Sequence, residues 1–187
     1  MECYSLKPFI SKEQIERRLN ELAAEINRDY KDLDLVMVGL LTGAFIFCAD
    51  LARRSALDPE IDFMRVSSYG SNTCGGETKI LMDLKTEIKN RHVLLIEDII
   101  DSGRTISLVV EHLMGREPAG LAVCALIDKT NRRICPVKVD RAAFTFENDY
   151  FLVGYGLDFA GKHRNLESIH EVIFNQRKDL DDAARNE

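Results

Sequence analysis

The densest chemistry in this chain lies in Val93-Leu94-Leu95-Ile96-Glu97-Asp98-Ile99-Ile100-Asp101-Ser102-Gly103-Arg104-Thr105. An apolar run feeds into two adjacent carboxylates, a third follows at Asp101, and a small polar turn leads on. Residues 93–96 read as a buried strand and residues 105–114 as a helix stopped by Gly115 and Pro118. In open α/β sheets, ligands bind at the carboxyl ends of strands. The backbone N–H groups of Ser102, Gly103, Arg104 and Thr105 would then point out of a helix N-terminus and cradle an anion, for which phosphate is the natural guest. Gly103 lets the backbone bend close to that ligand, and the Ser102 and Thr105 hydroxyls add donors. The acids have a different task. Glu97 and Asp98 suit ribose hydroxyls or Mg²⁺, which takes oxygen ligands, and Asp101 at the cradle mouth can move a proton. Helix capping by Asp101 and Ser102 would explain one acid alone, but not the whole string behind a buried strand.

This string resembles the phosphoribosyl-pyrophosphate signature of the type I phosphoribosyltransferases. In the form Glu-Asp-Ile-Ile-Asp-Ser-Gly-Arg-Thr it is similar to the family's hypoxanthine-guanine branch, which usually has Thr where Ser102 stands. The likeness runs over residues 35–172. It implies an α/β fold of the family's type: a mainly parallel sheet flanked by helices, with a small hood subdomain. The whole would be one domain over 1–187, its core at about 35–150 and its hood built from the N-terminal segment and about 151–178. It also implies transfer of a phosphoribosyl group from phosphoribosyl pyrophosphate to a 6-oxopurine, Mg²⁺ as cofactor, Asp101 as general base or acid at a purine nitrogen, and a homodimer or homotetramer in the cytoplasm.

Further segments fit the same resemblance. Gly39-Leu40-Leu41-Thr42-Gly43-Ala44 follows a buried strand and is similar to the family's pyrophosphate loop, with Leu41, Thr42 and Gly43 as contacts and a cis peptide between Leu41 and Thr42. Many relatives carry a basic residue at the Thr42 position, so here backbone N–H groups and the Thr42 hydroxyl are left to serve. Ser67-Ser68-Tyr69-Gly70 and the loop to Thr78 resemble the catalytic flap. Ser68 and Tyr69 are expected at the pyrophosphate, and Gly75 and Gly76 suit a segment that closes and excludes water. Lys129 follows the strand over 121–128, where the family sets a lysine against the purine 6-oxo group. Phe151-Leu152-Val153-Gly154-Tyr155-Gly156-Leu157-Asp158 resembles the purine-binding segment, with Phe151 stacking on the base, Leu152 beside it and Asp158 on a second Mg²⁺. Arg164 matches a family arginine near the pyrophosphate, and His163 is read as a bystander.

The elements that must position these groups follow from pattern. Ser11 and Gln14 form an S-x-x-Q capping box, and Ile15, Leu19, Leu22 and Ile26 recur at helical spacing behind it. Residues 35–41, 61–69, 78–82, 121–127 and 151–155 read as strands, and 44–51 as a helix. Strands alternating with helices make βαβ units and a mostly parallel sheet.

Apolar residues make up 45% of the 187 and charged residues 30%, ordinary for a globular chain. No apolar run approaches the roughly 20 residues of a membrane span, and the opening residues show no basic segment leading into an apolar one, so no signal peptide is expected. A net charge of −6 argues against a nucleic-acid-coating protein. It also counts against the rival reading of a regulator that senses phosphoribosyl pyrophosphate and binds nucleic acid. The enzymatic rivals differ in the base: xanthine, adenine or a pyrimidine. Lys129 favours a 6-oxo group over adenine's amino group. The five cysteines, Cys3, Cys48, Cys74, Cys124 and Cys135, include no close pair and read as reduced thiols.

Overall fold

The computed structural model describes residues 4–68 and 78–174. In chain order they form β1 (Tyr4–Ile10), α1 (Lys12–Asp29), β2 (Leu35–Leu41), α2 (Phe45–Arg54), β3 (Glu60–Ser68), β4 (Thr78–Met82), β5 (His92–Ile100), α3 (Arg104–Met114), β6 (Gly120–Lys129), β7 (Arg141–Phe146), β8 (Leu152–Val153) and β9 (Ile169–Phe174). Six strands make one sheet in the order β4-β3-β2-β5-β6-β7. Its neighbours are parallel except at the antiparallel β3/β4 edge.

A parallel strand covered on both faces reads as an unbroken apolar run, and β2 shows why. Leu35 and Met37 pack on one face with Leu19 and Leu22 of α1 and Phe47 and Leu51 of α2. Val36, Val38 and Leu40 pack on the other with Ile106, Val109 and Leu113 of α3. The capping box at Ser11 and Gln14 is present at the start of α1. From β2 the chain moves outward one way to β3. From β5 it moves the other way to β6. Between β2 and β5 the strand order reverses, and at such a switch the loops part to leave a crevice at the carboxyl ends.

A second sheet, β1-β9-β8, is antiparallel. It contributes Ile10, Leu152 and Ile169 to the cluster around α1 and α2, and Tyr155 and Leu157 beyond β8 join them.

The sequence reading did not single out β1, β7 or β9. Pro8 interrupts the pattern of β1, which shifts register beside it, as proline does in edge strands. Three boundaries also differ. Rather than ending at the acids, β5 runs through Glu97 and Asp98 to Ile100, because its pairing with β6 continues to Ile100↔Asp128. Lys129 is the last residue of β6, not the residue after a strand. The strand expected over 151–155 is only Leu152–Val153, since Gly154, Tyr155 and Gly156 all take positive φ.

Among the described residues, no helix is long and apolar enough to cross a membrane. Cys48, Cys124 and Cys135 are free thiols. Burial pushes Cys48 up to about 11 and Cys124 up to about 12, so both stay protonated at neutral pH. Cys3 and Cys74 lie outside the described residues.

Candidate active site

The crevice is lined first by the end of β2. A cis peptide joins Leu41 to Thr42, as the resemblance implied. Gly43 follows, and a methyl group there would collide with the Asp98 carboxylate. Only glycine lets the loop and the acid on β5 approach this closely.

The carboxylates of β5 have distinct surroundings. Glu97 is 9% exposed, and its Oε2 is buried without a hydrogen-bond partner. Burial, and then the neighbouring Asp98, hold the Glu97 carboxyl well above the usual range. Burial also raises Asp98, opposed by its hydrogen bond with Glu97 and by the Arg164 charge. Farther along, Asp101 Oδ1 is buried without a hydrogen-bond partner and forms an ion pair with Arg132 Nε at 3.4 Å.

Glu97 and Asp101 both line one cleft of about 90 Å³, together with Ser102, Gly103 and Thr105. Gly103 caps α3 with φ +83°, a left-handed conformation that favours glycine. A β-carbon there would also stand 2.6 Å from the Cys135 carbonyl oxygen. The Ser102 carbonyl accepts from Ile134 N (2.9 Å) and Cys135 N (3.0 Å), so the turn is pinned from outside. Ser107 N–H closes the first helical turn on the Gly103 carbonyl. Donors ahead of it are those that a helix start leaves for an anion. No carboxylate occupies the first turn of α3.

Lys129 lies one strand over and is 6% exposed. Its Nζ donates to the Tyr150 carbonyl (2.5 Å) and to Asp149 Oδ1 (3.3 Å), which also accepts from Arg132 Nη1 (3.0 Å). Phe151 is 45% exposed and is held edge-on by Phe159 and Phe174, with ring centroids 5.4 and 5.8 Å away.

With a glycine-capped helix start, three carboxylates and a buried lysine set along the strand ends, comparison with known proteins gives the family. The sequence profile of the phosphoribosyl transferase domain matches residues 10–160. The chain belongs to this family. Similar phosphoribosyltransferases include the hypoxanthine phosphoribosyltransferase of Escherichia coli strain K12, 45% identical over 173 residues, 91% of this chain and 97% of that one. Another is the hypoxanthine-guanine phosphoribosyltransferase of Bacillus subtilis strain 168, 43% identical over 164 residues, 87% of this chain and 91% of that one. Among solved structures, a hypoxanthine-guanine phosphoribosyltransferase of Bacillus anthracis superposes with a TM-score of 0.85 at 38% identity, covering 90% of this chain and 99% of that one.

The phosphoribosyltransferase fold thus gathers Glu97, Asp101, Ser102, Gly103 and Thr105 at one cleft and sets Asp98 against Gly43. Arg104 opens α3, one residue before the helix start read from the sequence, its N–H 3.5 Å from Ser102 Oγ. Other candidates stand differently from the sequence reading. Asp158 already engages both oxygens, Oδ1 with Arg164 Nη2 (2.6 Å) and Oδ2 with the Gly161 N–H (2.8 Å). The Leu152 side chain sits in the core. His163 is occupied by the Tyr4 hydroxyl at 2.8 Å. The Ser68 side chain and Tyr69 lie outside the described residues.

The structure also adds residues. Asp149 and Arg132 link Lys129 to Asp101. Arg133 pairs with Asp128 and packs against Gly103. The charged run Asp128-Lys129-Thr130-Asn131-Arg132-Arg133 at the carboxyl end of a buried strand was the available signal. Among the described residues, no group of three or more His, Cys, Asp or Glu side chains could hold a metal ion by itself. Glu97 Oε2, buried without a hydrogen-bond partner, instead suits an ion that keeps waters and substrate oxygens, which is the habit of Mg²⁺.

Proposed function

We propose that this chain transfers the 5-phosphoribosyl group of phosphoribosyl pyrophosphate to hypoxanthine and/or guanine, releasing pyrophosphate and the purine nucleoside 5′-monophosphate. The observation that carries this reading is that Ser102, Gly103 and Thr105 at the start of α3 line one cleft with Asp101, whose Oδ1 makes no hydrogen bond. The names of the similar enzymes support it.

In this reading the 5-phosphate sits on the α3 N-terminus, where N–H donors and the helix dipole favour an anion. Glu97 and Asp98 hold the ribose hydroxyls. Thr42, Gly43 and Arg164 take the pyrophosphate, with Ser68 and Tyr69 as the further contacts expected from the sequence. When bound, Mg²⁺ neutralises the leaving pyrophosphate. Glu97, Asp98 and Asp158 are the groups that would hold it. Asp101 accepts the proton from the purine ring nitrogen as the sugar bond forms. An ammonium has three donors. Lys129 commits two of them to Tyr150 and Asp149, which leaves one for a 6-oxo group. Phe151 offers an aromatic face to the base. The free thiols of Cys48, Cys124 and Cys135 suit a reducing compartment, and we place the enzyme in the cytoplasm.

The test is kcat/KM for hypoxanthine, guanine, xanthine and adenine on the native protein and on Lys129→Gln. Hypoxanthine or guanine should exceed adenine by orders of magnitude, because a site built around one hydrogen bond rejects a ligand that leaves its donor unpaired. Lys129→Gln should narrow the gap, since an amide both donates and accepts. Equal use of adenine by the native protein would remove Lys129 from base recognition, and no nucleotide from any base would overturn the reading.

A further inference from the structure

The purine-facing segment and the pyrophosphate loop come from distant parts of the chain, yet the structure joins them through a side-chain contact outside the substrate crevice. Tyr155 is 6% exposed, and its hydroxyl donates to Asp50 Oδ2 at 2.5 Å. Asp50 lies on α2, the helix that follows the Leu41–Thr42–Gly43 turn. Its Oδ1 pairs with Arg53 and, at 3.7 Å, with Arg54. We infer that Tyr155 and Asp50 are a positioning pair that keeps the purine-facing segment and the pyrophosphate loop in one register, an inference that rests on the function proposed above.

Three observations point this way. Tyr155 has φ +51° between two positive-φ glycines, a conformation uncommon for a bulky side chain. Its own backbone fastens to the far side of its loop, Tyr155 N to the Leu166 carbonyl (2.8 Å) and Gly156 N to the Arg164 carbonyl (3.0 Å), while the phenol reaches across to α2. Next to it, Gly156 lies directly against the Gly43 carbonyl, with no room for a β-carbon. The Gly156 carbonyl in turn accepts from Arg164 Nη1 (2.6 Å), whose Nη2 holds Asp158. A shift of Tyr155 would therefore move Gly156 off Gly43 and carry Arg164 and Asp158 with it. Burial and the Asp50 carboxylate together hold the phenol well above the usual tyrosine range, so it remains a donor across the working pH.

Neither side chain touches the proposed reacting atoms, so their removal should appear as mispositioned substrates with the fold retained. Tyr155→Phe keeps the ring and removes the donor. Asp50→Asn keeps an acceptor, and Asp50→Ala removes it. Steady-state kinetics with both substrates should show Tyr155→Phe and Asp50→Ala reduced roughly tenfold in kcat/KM, with KM raised for phosphoribosyl pyrophosphate and hypoxanthine alike, as small misplacements do. Asp50→Asn should stay near the native value. The double variant Tyr155→Phe/Asp50→Ala should be no worse than the poorer single, because coupled residues are not additive. If Tyr155→Phe lowers the melting temperature but leaves both KM values and kcat unchanged, the pair only packs and the inference fails. Equal kcat/KM for Asp50→Asn and Asp50→Ala overturns it as well, and that comparison stands even should Tyr155→Phe not fold. Absence of turnover by the native protein would instead defeat the functional reading. Calorimetric titration with inorganic pyrophosphate still decides the pair in that case: weaker binding to Tyr155→Phe supports it, and unchanged binding overturns it.

Discussion

A carboxylate can take a proton during a reaction if it is not locked into hydrogen bonds, and Asp101 Oδ1 makes none, facing the Arg132 guanidinium at 3.4 Å beside the start of α3. Asp101→Asn removes the base while leaving the size of the side chain. Its turnover of hypoxanthine should fall about 10²–10⁴-fold, the usual contribution of a positioned acid–base group, with an unchanged melting temperature. A variant within about threefold of the native rate would take Asp101 out of the chemistry. The string from Glu97 to Thr105 was legible as a site because its residue types change within a few positions from buried strand to acid to helix start. Asp149, Arg132 and Tyr155 were not. Each works through a partner far along the chain, Lys129, Asp101 and Asp50 respectively, and spacing within one segment carries no trace of such a partner.

Among the elements, those buried on two sides or amphipathic on one were readable, because burial writes a pattern into the residues: α1 with its capping box, β2 and α3. The burial of β1, β7 and β9 does not alternate regularly, so these strands were missed. Side-chain anchors between elements leave an even fainter trace. Asp62 on β3 is one. Its Oδ2 accepts from the N–H groups of Lys85 and Thr86 at 2.8 Å each, and its Oδ1 from that of Phe63 at 2.7 Å. Burial raises this carboxyl, but the backbone donors outweigh it and bring it below its ordinary value of 3.8. A lowered folded-state value means stability that is present above about pH 4 and lost as the pH falls through that lowered value. Asp62→Ala should therefore cost about 2 kcal/mol at pH 7, with the difference from the native protein shrinking below pH 4. Urea melts of both proteins at pH 7 and pH 3 check this, and a gap that does not depend on pH would mean that the charge is not what anchors the 85–86 turn.

At the scale of the whole molecule, the main sheet supplies the cradle, the acids and the lysine, while the smaller sheet leads into Phe151, Asp158 and Arg164. If Mg²⁺ arrives mainly with its substrate, chelation should separate activity from folding. EDTA should abolish turnover, added Mg²⁺ should restore it, and the melting curve of the substrate-free protein should not move, because no described cluster holds a metal alone. Full turnover in thoroughly chelated buffer would defeat this. The smaller sheet has a further consequence, one that concerns time. Tyr4 pairs with Phe174 and Ile10 with Ile169, so the first described strand has its partner at the far end of the described chain. The main sheet is complete once Phe146 has left the ribosome, and domains assemble as their residues emerge. Until Ile169–Phe174 follows, β1 has no neighbouring strand. During synthesis, the scaffold of the cleft at Glu97–Thr105 can therefore stand before the sheet that frames Asp158 and Arg164 is closed.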